Sequence, residues 1–221
     1  MTDMWFKNNL IYTLLLVSVI SAILALITSD FIFKSGTAGI GIFILLVLNF
    51  RKVKPSKDTW FIIGAFLFSI GGDWFLSNMD GDPVMFSKGI ALFFLAHVGY
   101  LMFALLNGRI NWKITGIILT AFLVFYFLIL YPAIEEKILV TAVLIYLLIS
   151  CLSMGAAISI QNDRVVKWAY AFGIFLILFS DTIISLTEFT GYNTLNFIIL
   201  PTYYLAHISI TFSLIRKTDL K

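Results

Sequence analysis

Eight long apolar runs follow one another along the chain, and a short polar break separates each run from the next. The runs lie at about residues 10–28, 36–50, 59–77, 86–107, 113–131, 137–159, 166–188 and 195–215. A helix crosses the hydrocarbon core of a bilayer in roughly 20 residues, which is close to the length of most of these runs. The pattern therefore predicts eight transmembrane helices in one integral membrane domain spanning residues 1–221.

The fold class follows from the backbone. Inside a bilayer every N–H and C=O group must bond within the protein, so only helices or a closed barrel can span it. Barrel strands alternate strictly between apolar and polar residues, and these runs do not. We therefore expect an all-α fold, a polytopic membrane bundle of helices.

Composition agrees with this expectation and removes the main alternatives. Apolar residues make up 61% of the chain and charged residues 12%, whereas a soluble domain carries about 25% charged residues. The mean hydropathy is +1.01. A soluble globular domain and a disordered chain are both excluded, because too little polar surface is present to meet water. The single cysteine, Cys151, excludes an internal disulfide.

The chain has a formal charge of +3, and the positions of its basic residues indicate how the helices are oriented in the membrane. Twelve of the fifteen Lys and Arg residues fall on one side of the predicted helices. These twelve are Lys7, Arg51, Lys52, Lys54, Lys57, Arg109, Lys113, Arg164, Lys167, Arg216, Lys217 and Lys221. Lys34, Lys88 and Lys137 fall on the other side. The positive-inside rule then predicts that both termini are cytoplasmic, and no nucleic-acid partner is needed to explain the basic charge.

Two aspartates lie inside apolar runs, Asp73 in the third and Asp181 in the seventh. A carboxylate within a span costs at least about 2.5–3.5 kcal/mol on insertion scales, so it normally faces the bundle interior and has a function. Both predicted helices run outward, and each aspartate lies some 14–15 residues from the start of its span. We therefore expect both at one level in the outer half of the membrane. Two carboxyl groups at one level can share a proton, with one neutral and the other ionised.

The two histidines also lie inside spans, each in a short echo of the other. The fourth run contains FFLAHVGY, with His97 and Tyr100, and the eighth contains YYLAHISI, with Tyr203, Tyr204 and His207. The separations from Asp73 to His97 and from Asp181 to His207 are 24 and 26 residues. Two parallel four-helix repeats would produce this echo, and so would chance in apolar sequence; both explanations stay open here.

Several chemistries fit two aspartates and two histidines. The set suits a metal ion, but no HExxH motif, cysteine pair or third histidine accompanies it, so we predict no metal site. Carboxylates and histidines in a bundle also suit a proton-coupled transporter of small molecules or lipids. Ser180, next to Asp181, is at most an orienting group, because helical serines usually bond to their own turn. Lys88 is the candidate contact for a substrate phosphate, with a snorkelling lysine as the simpler explanation.

The motifs resemble those of a known family. The segment SIGGDWFL, followed by Phe86, Gly89 and FFLAHVGY, is similar to the first half of the YhhN family, the lysoplasmalogenase-like membrane proteins. FGIFLILFSDTIIS and PTYYLAH resemble its second half. The chain departs from the family pattern at His207, where a glutamine is expected, which argues against a two-histidine metal site.

The resemblance implies eight helices and hydrolysis of the vinyl ether of lysoplasmalogen. The products would be a fatty aldehyde and glycerophosphoethanolamine or glycerophosphocholine, and no cofactor is required. The chemistry suits the residues, since one aspartic acid can protonate the vinyl ether while its ionised partner stabilises the cation or activates water. We expect Asp73 and Asp181 to be catalytic, and His97, Tyr100, Ser180, Tyr203, Tyr204 and His207 to position substrate or water.

The partners expected from this function are a lysophospholipid substrate and membrane lipids, with no protein partner. So compact a membrane chain is simplest to place in the inner membrane of a bacterium. A metal-dependent intramembrane lipid hydrolase remains the alternative within the enzyme class, beside the transporter.

Overall fold

The computed structural model describes residues 2–28, 30–50 and 56–219, with the side chains of residues 2–9 and 219 left out. Every regular element in this part of the chain is helical. The eight helices are α1 (Thr2–Thr28), α2 (Phe31–Phe50), α3 (Lys57–Ser77), α4 (Pro83–Leu106), α5 (Trp112–Phe125), α6 (Lys137–Ala157), α7 (Arg164–Thr190) and α8 (Asn196–Asp219). All eight, with α5 continued to Ala133, are long and apolar enough to cross a membrane. The all-α, eight-helix prediction is confirmed, and the protein is a multi-pass integral membrane protein.

The orientation stays a prediction, because it rests on the distribution of basic residues. Five of the twelve basic positions assigned to the cytoplasmic side lie outside the described side chains: Lys7, Arg51, Lys52, Lys54 and Lys221.

The second helix begins earlier than the apolar pattern predicts. Its first residue is Phe31 rather than a residue near 36, because Asp30 caps it: an oxygen of its carboxylate accepts the Ile32 N–H at 2.8 Å. The same type of N-cap begins α4 and α7. The Asp82 carboxylate accepts the Val84 N–H, and the Asp163 carboxylate accepts the Val165 N–H. Gly191 ends α7 at φ 70°, a left-handed conformation that glycine adopts without a Cβ penalty.

The fifth span does not stay α-helical. A π-helical turn covers Tyr126–Leu130, and a 3-10 turn covers Tyr131–Ala133. Pro132 lacks an N–H and its ring crowds the preceding turn, so the regular helix cannot continue through it. The Tyr126 hydroxyl donates to the Val140 carbonyl at 2.7 Å and ties this irregular end to α6.

Two helical hairpins, α3–α4 and α7–α8, have the most extensive packing in the bundle. Each depends on a glycine where the helices approach closely. A Cβ on Gly99 would lie 2.6 Å from the Phe61 carbonyl oxygen, and one on Gly173 would lie 2.6 Å from Ile210 Cγ1. Helix α2 packs between α3 and α8, and α6 packs between α4 and α7, so these six helices form a closed ring. Helix α1 lies against α2 and α8, and α5 lies against α6.

One end of the ring is closed by polar contacts. Lys217 of α8 forms an ion pair with Asp58 of α3 and donates to Asn107 Oδ1 at the end of α4 at 2.6 Å. Asn107 Nδ2 also donates to Asp58 Oδ2, at 2.9 Å. The α4–α5 and α6–α7 connections are joined through Gln161 N, which donates to the Asn107 carbonyl at 2.7 Å. We call Asp58, Asn107 and Lys217 the polar lock; it lies at the end predicted to be cytoplasmic.

Candidate functional site

A polar cavity of about 220 Å³ lies inside the ring, at the end opposite the polar lock. Five helices contribute to its walls. They supply Lys34 from α2, Asp73, Leu76 and Ser77 from α3, Phe93 from α4, Ser180, Asp181, Ile184 and Glu188 from α7, and Ile199, Leu200, Tyr203 and Tyr204 from α8. Its wall residues in α2, α3 and α7 lie at the start of α2 and towards the ends of α3 and α7. The cavity therefore lies at the end that the charge pattern predicts to be external.

Both intramembrane aspartates line this one cavity. Asp73 lies sixteen residues after the first residue of α3, and Asp181 lies seventeen after the first residue of α7. We expect the two carboxyl groups at one level of the membrane because each lies at a similar distance along its helix. The fold places both in the wall of the same cavity.

Asp181 is held by two aromatic side chains. The Tyr146 hydroxyl of α6 donates to Asp181 Oδ2 at 2.6 Å, and His97 Nε2 of α4 lies 3.2 Å from the same oxygen. The His97 ring meets the Tyr146 ring edge to face, with ring centroids 5.1 Å apart. Because both contacts reach Oδ2, Asp181 Oδ1 has no hydrogen bond among the described residues. One oxygen of the carboxyl group is therefore fixed by two contacts, and the other has no protein partner among these residues.

Asp73 has looser surroundings. The Tyr203 hydroxyl interacts with its carboxyl group as a donor, although that hydroxyl has no partner in ordinary hydrogen-bond geometry among the described residues. The contact between Tyr203 and Asp73 is therefore poorly aligned. Lys34 is close enough to interact electrostatically with Asp73. The preceding residue, Gly72, lets the Phe93 ring pack against α3, since a Cβ there would lie 2.9 Å from it.

Below the aspartates, a layer of buried hydroxyl groups continues towards the core. Ser69 Oγ lies 3.3 Å from the Tyr100 hydroxyl, and the Tyr170 hydroxyl donates to the Tyr100 carbonyl at 2.7 Å. The Tyr100 ring also packs edge to face on His97, with centroids 5.9 Å apart. Tyr100 therefore supports His97 from the next turn of α4 without lining the cavity itself.

His207 does not join the aspartates. It is fully buried, with its ring 4.8 Å from the Phe66 centroid and 4.4 Å from the Tyr203 centroid. Neither of its ring nitrogens has a hydrogen-bond partner in the described part of the chain. The sequence echo equated it with His97, but the structure pairs His97 of the first hairpin with Asp181 of the second.

Of the remaining residues expected in the site, three line the cavity and one does not. Tyr203 and Tyr204 line the cavity, and both hydroxyls are buried without a partner in good geometry among the described residues. Ser180 also lines it, but its hydroxyl donates to the Ile199 carbonyl at 3.3 Å. Lys88 is exposed, with its ammonium 5.7 Å from the Phe75 ring centroid, and is not part of the cavity wall.

Three wall or contact residues were not singled out from the sequence. Tyr146 lies in the middle of an apolar run, where a tyrosine gives no signal of its own. Lys34 and Glu188 are the charged residues that join the aspartates in the cavity wall. Lys34 is one of the three basic residues on the side of the membrane that has few of them. That position was the available signal in the sequence.

The described residues contain no group of three or more His, Cys, Asp or Glu side chains placed to hold a metal ion. His97 and Asp181 meet, whereas His207 lies among aromatic rings. The site offers instead two carboxyl groups at one cavity, one free carboxylate oxygen and several buried hydroxyl groups. This arrangement can transfer a proton, stabilise a positive charge and hold a water molecule.

Comparison with known proteins gives one match. The family model described as the YhhN family matches residues 29–214 of the chain, most of its length. Neither the curated proteins nor the solved structures give a match.

Proposed function

The chain belongs to the YhhN family, and from this premise we propose that it is an intramembrane hydrolase that cleaves the vinyl ether of lysoplasmalogen. The observation that carries the proposal is that Asp73 and Asp181 line the same polar cavity. The products are a fatty aldehyde and glycerophosphoethanolamine or glycerophosphocholine. The setting we propose is the inner membrane of a bacterium.

Acid–base chemistry suits this bond. A proton added to the outer carbon of the vinyl group gives an oxocarbenium ion, which water captures as a hemiacetal. The hemiacetal then breaks its bond to the glycerol oxygen, which leaves as a hydroxyl group, and becomes the aldehyde. The proton given to carbon stays in the aldehyde, and a proton lost by the attacking water restores the acid. One neutral aspartic acid can donate the proton, while the ionised partner stabilises the cation or accepts a proton from water.

The contacts around Asp181 support a mechanism in which the two aspartates have different roles. Tyr146 and His97 fix Oδ2, so Oδ1 keeps one orientation towards the reacting atoms. A group held in a single geometry spends less free energy on orientation in the transition state. Tyr203 and Tyr204 have hydroxyl groups available to a water molecule or to the glycerol oxygen.

The headgroup has a place near the mouth of the cavity. Lys34 supplies a positive charge there and Glu188 a negative charge, and the described residues contain no ion pair between them. A phosphate beside Lys34 would leave Glu188 available to the ammonium of an ethanolamine or choline group. In this proposal Lys34 takes the phosphate role that the sequence suggested for Lys88.

The test is aldehyde release from lysoplasmalogen by the purified full-length protein in lipid nanodiscs. Asp73→Asn and Asp181→Asn are each expected to lower the rate on the order of 100-fold or more, since acid–base groups contribute about 10²–10⁴-fold. Asp163→Asn is the matched control, because this aspartate caps α7 far from the cavity and asparagine caps equally well. Full activity in either cavity variant, once folded, would disprove the two-aspartate mechanism.

The same preparation separates the rival functions. A chelator is expected to leave the rate unchanged; loss of activity that returns with added metal would favour the metal-dependent hydrolase. If the wild-type protein releases no aldehyde, the hydrolase proposal is wrong. Proton-driven uptake into sealed vesicles would then favour the transporter.

A further inference from the structure

A second, narrow space leads away from Asp181 between the outer halves of α4, α6 and α7. We call it the apolar cleft; its volume is about 60 Å³. Its walls are almost entirely hydrocarbon and aromatic: Leu76, Phe86, Ile90, Phe93, Val143, Tyr146, Ile184 and Phe189, with Asp181 and Ser185 at the polar side. Phe86 and Phe189 meet edge to face at 5.7 Å between centroids.

The apolar cleft and the polar cavity adjoin each other. Four residues line both spaces: Leu76, Phe93, Asp181 and Ile184. Asp181 is the only one of the four with a charged side chain. The carboxyl group therefore lies where a polar compartment gives way to an apolar one.

The cleft also approaches the outside of the bundle. Ile90 belongs to its wall and, at the same time, to a shallow apolar groove on the membrane-facing side of α4 and α6. That groove includes Ala91 and Ile145, which are both exposed in the bundle. Ile90 thus lies between the cleft and the membrane-facing groove.

From this arrangement we propose that the apolar cleft binds the hydrocarbon chain of a single-chain lipid, which enters sideways between α4 and α6. The inference rests on the function proposed above. The headgroup lies in the polar cavity near Lys34, and the chain lies along Ile90, Val143 and Phe189.

The chemistry of the substrate matches the place where the two compartments meet. A vinyl ether joins the polar glycerol to the apolar chain, so a lipid held across both compartments has its reactive bond beside Asp181. The chain exchanges bilayer hydrocarbon for protein hydrocarbon, an exchange with little driving force of its own. The cleft therefore contributes orientation rather than affinity.

A crosslinking experiment tests occupancy without depending on turnover. The probe is a hexadecyl ether analogue of lysophosphatidylethanolamine, which lacks the vinyl bond and carries a diazirine close to the ether. In nanodiscs with the wild-type protein, we expect adducts on Ile90, Val143 or Phe189 that excess unlabelled analogue removes. Adducts confined to membrane-facing residues such as Leu148 would overturn the proposal.

A substitution tests the cleft in the reaction itself. Val143→Phe narrows the cleft, and it is expected to lower the rate for a hexadecenyl substrate relative to an octenyl one on the order of tenfold. Leu148→Phe, on the membrane-facing side of the same helix, is the matched control. Val143→Ala, which widens the cleft, is expected to shift the preference the other way. An unchanged chain-length preference in both Val143 variants would overturn the proposal.

The failure of this inference differs from the failure of the proposed function. Adducts in the cleft without aldehyde release support the chain site and disprove the hydrolase. Aldehyde release without cleft adducts, and with an unchanged chain-length preference, supports the hydrolase and overturns the chain site.

Discussion

The two ends of the helical ring use polar side chains in opposite ways. At the polar lock, Asp58, Asn107 and Lys217 bond to one another, and Lys217 also lies 4.8 Å from the Phe103 ring centroid. At the cavity, Lys34 and Glu188 form no ion pair among the described residues, and the hydroxyl groups of Tyr203 and Tyr204 have no well-aligned partner there.

We infer from this difference that the polar lock stabilises the bundle and that the cavity binds a ligand. Buried polar groups that satisfy one another hold helices together, whereas unsatisfied ones cost free energy unless something else binds them. A protein that leaves several such groups around one cavity offers them to a ligand. The four predictions below test this contrast, from the largest expected effect to the smallest.

The strongest test is at the histidines. His97→Phe keeps the aromatic packing against Tyr146 and Tyr100 but removes the nitrogen that contacts Asp181. We expect the rate of aldehyde release to fall on the order of 100-fold, because Asp181 loses one of its two orienting contacts. His207→Phe, in the aromatic core, should lower the rate by less than about tenfold. Equal losses in the two variants would contradict the site as described.

The second test breaks the closed end. Lys217→Met removes the positive charge from Asp58 and leaves a largely buried carboxylate. We expect the free energy of unfolding to fall by about 2 kcal/mol, less than for a fully buried pair because both groups keep some exposure. Thermal unfolding in detergent measures this. The rate per folded molecule should not change; a lower rate in folded protein would show that the lock affects the cavity.

A third test compares the two carboxyl groups of the open end. Tyr146→Phe removes a short hydrogen bond to Asp181, and we expect a rate about tenfold lower, as for a bond to a charged group. Tyr203→Phe removes a poorly aligned contact to Asp73 and should have a smaller effect. The two rates are measured with the same lysoplasmalogen. A larger loss in the Tyr203 variant would reverse the assignment of Asp181 as the more tightly positioned group.

The smallest effect is expected at the outer cations. Lys34→Gln removes the positive charge of a partly buried lysine from the cavity wall, and KM for lysoplasmalogen should rise a few-fold with kcat nearly unchanged. Lys88→Gln, outside the cavity wall, should shift KM less. A larger rise of KM in the Lys88 variant would indicate that Lys88, and not Lys34, binds the phosphate.

The sequence alone was sufficient for the fold class and the number of helices. Eight apolar runs predicted eight spanning helices, and the structure confirms them. The reason is that the bilayer imposes a local rule, since each crossing must satisfy its own backbone over about 20 residues. Where a local signal was overlooked, as with the Asp30 cap that starts α2 at Phe31, the boundary was displaced. The π-helical end of α5 was missed as well.

The candidate site was only partly visible in the sequence. Asp73 and Asp181 were found because a carboxylate in an apolar run is costly and therefore informative. Tyr146 was missed because tyrosine is tolerated in a span without a special role. The two histidines looked equivalent, since each follows a deep aspartate at a similar distance along the chain.

What the sequence determined by itself is the class of protein, the number of helices and the presence of two aspartates inside them. Tertiary structure alone decided which side chains meet: His97 reaches Asp181 across the hairpins, His207 is enclosed by Phe66 and Tyr203, and Lys34 rather than Lys88 joins the cavity. The physical reason is that spanning a bilayer is a property of one segment, whereas a site depends on how several helices rotate and pack against one another.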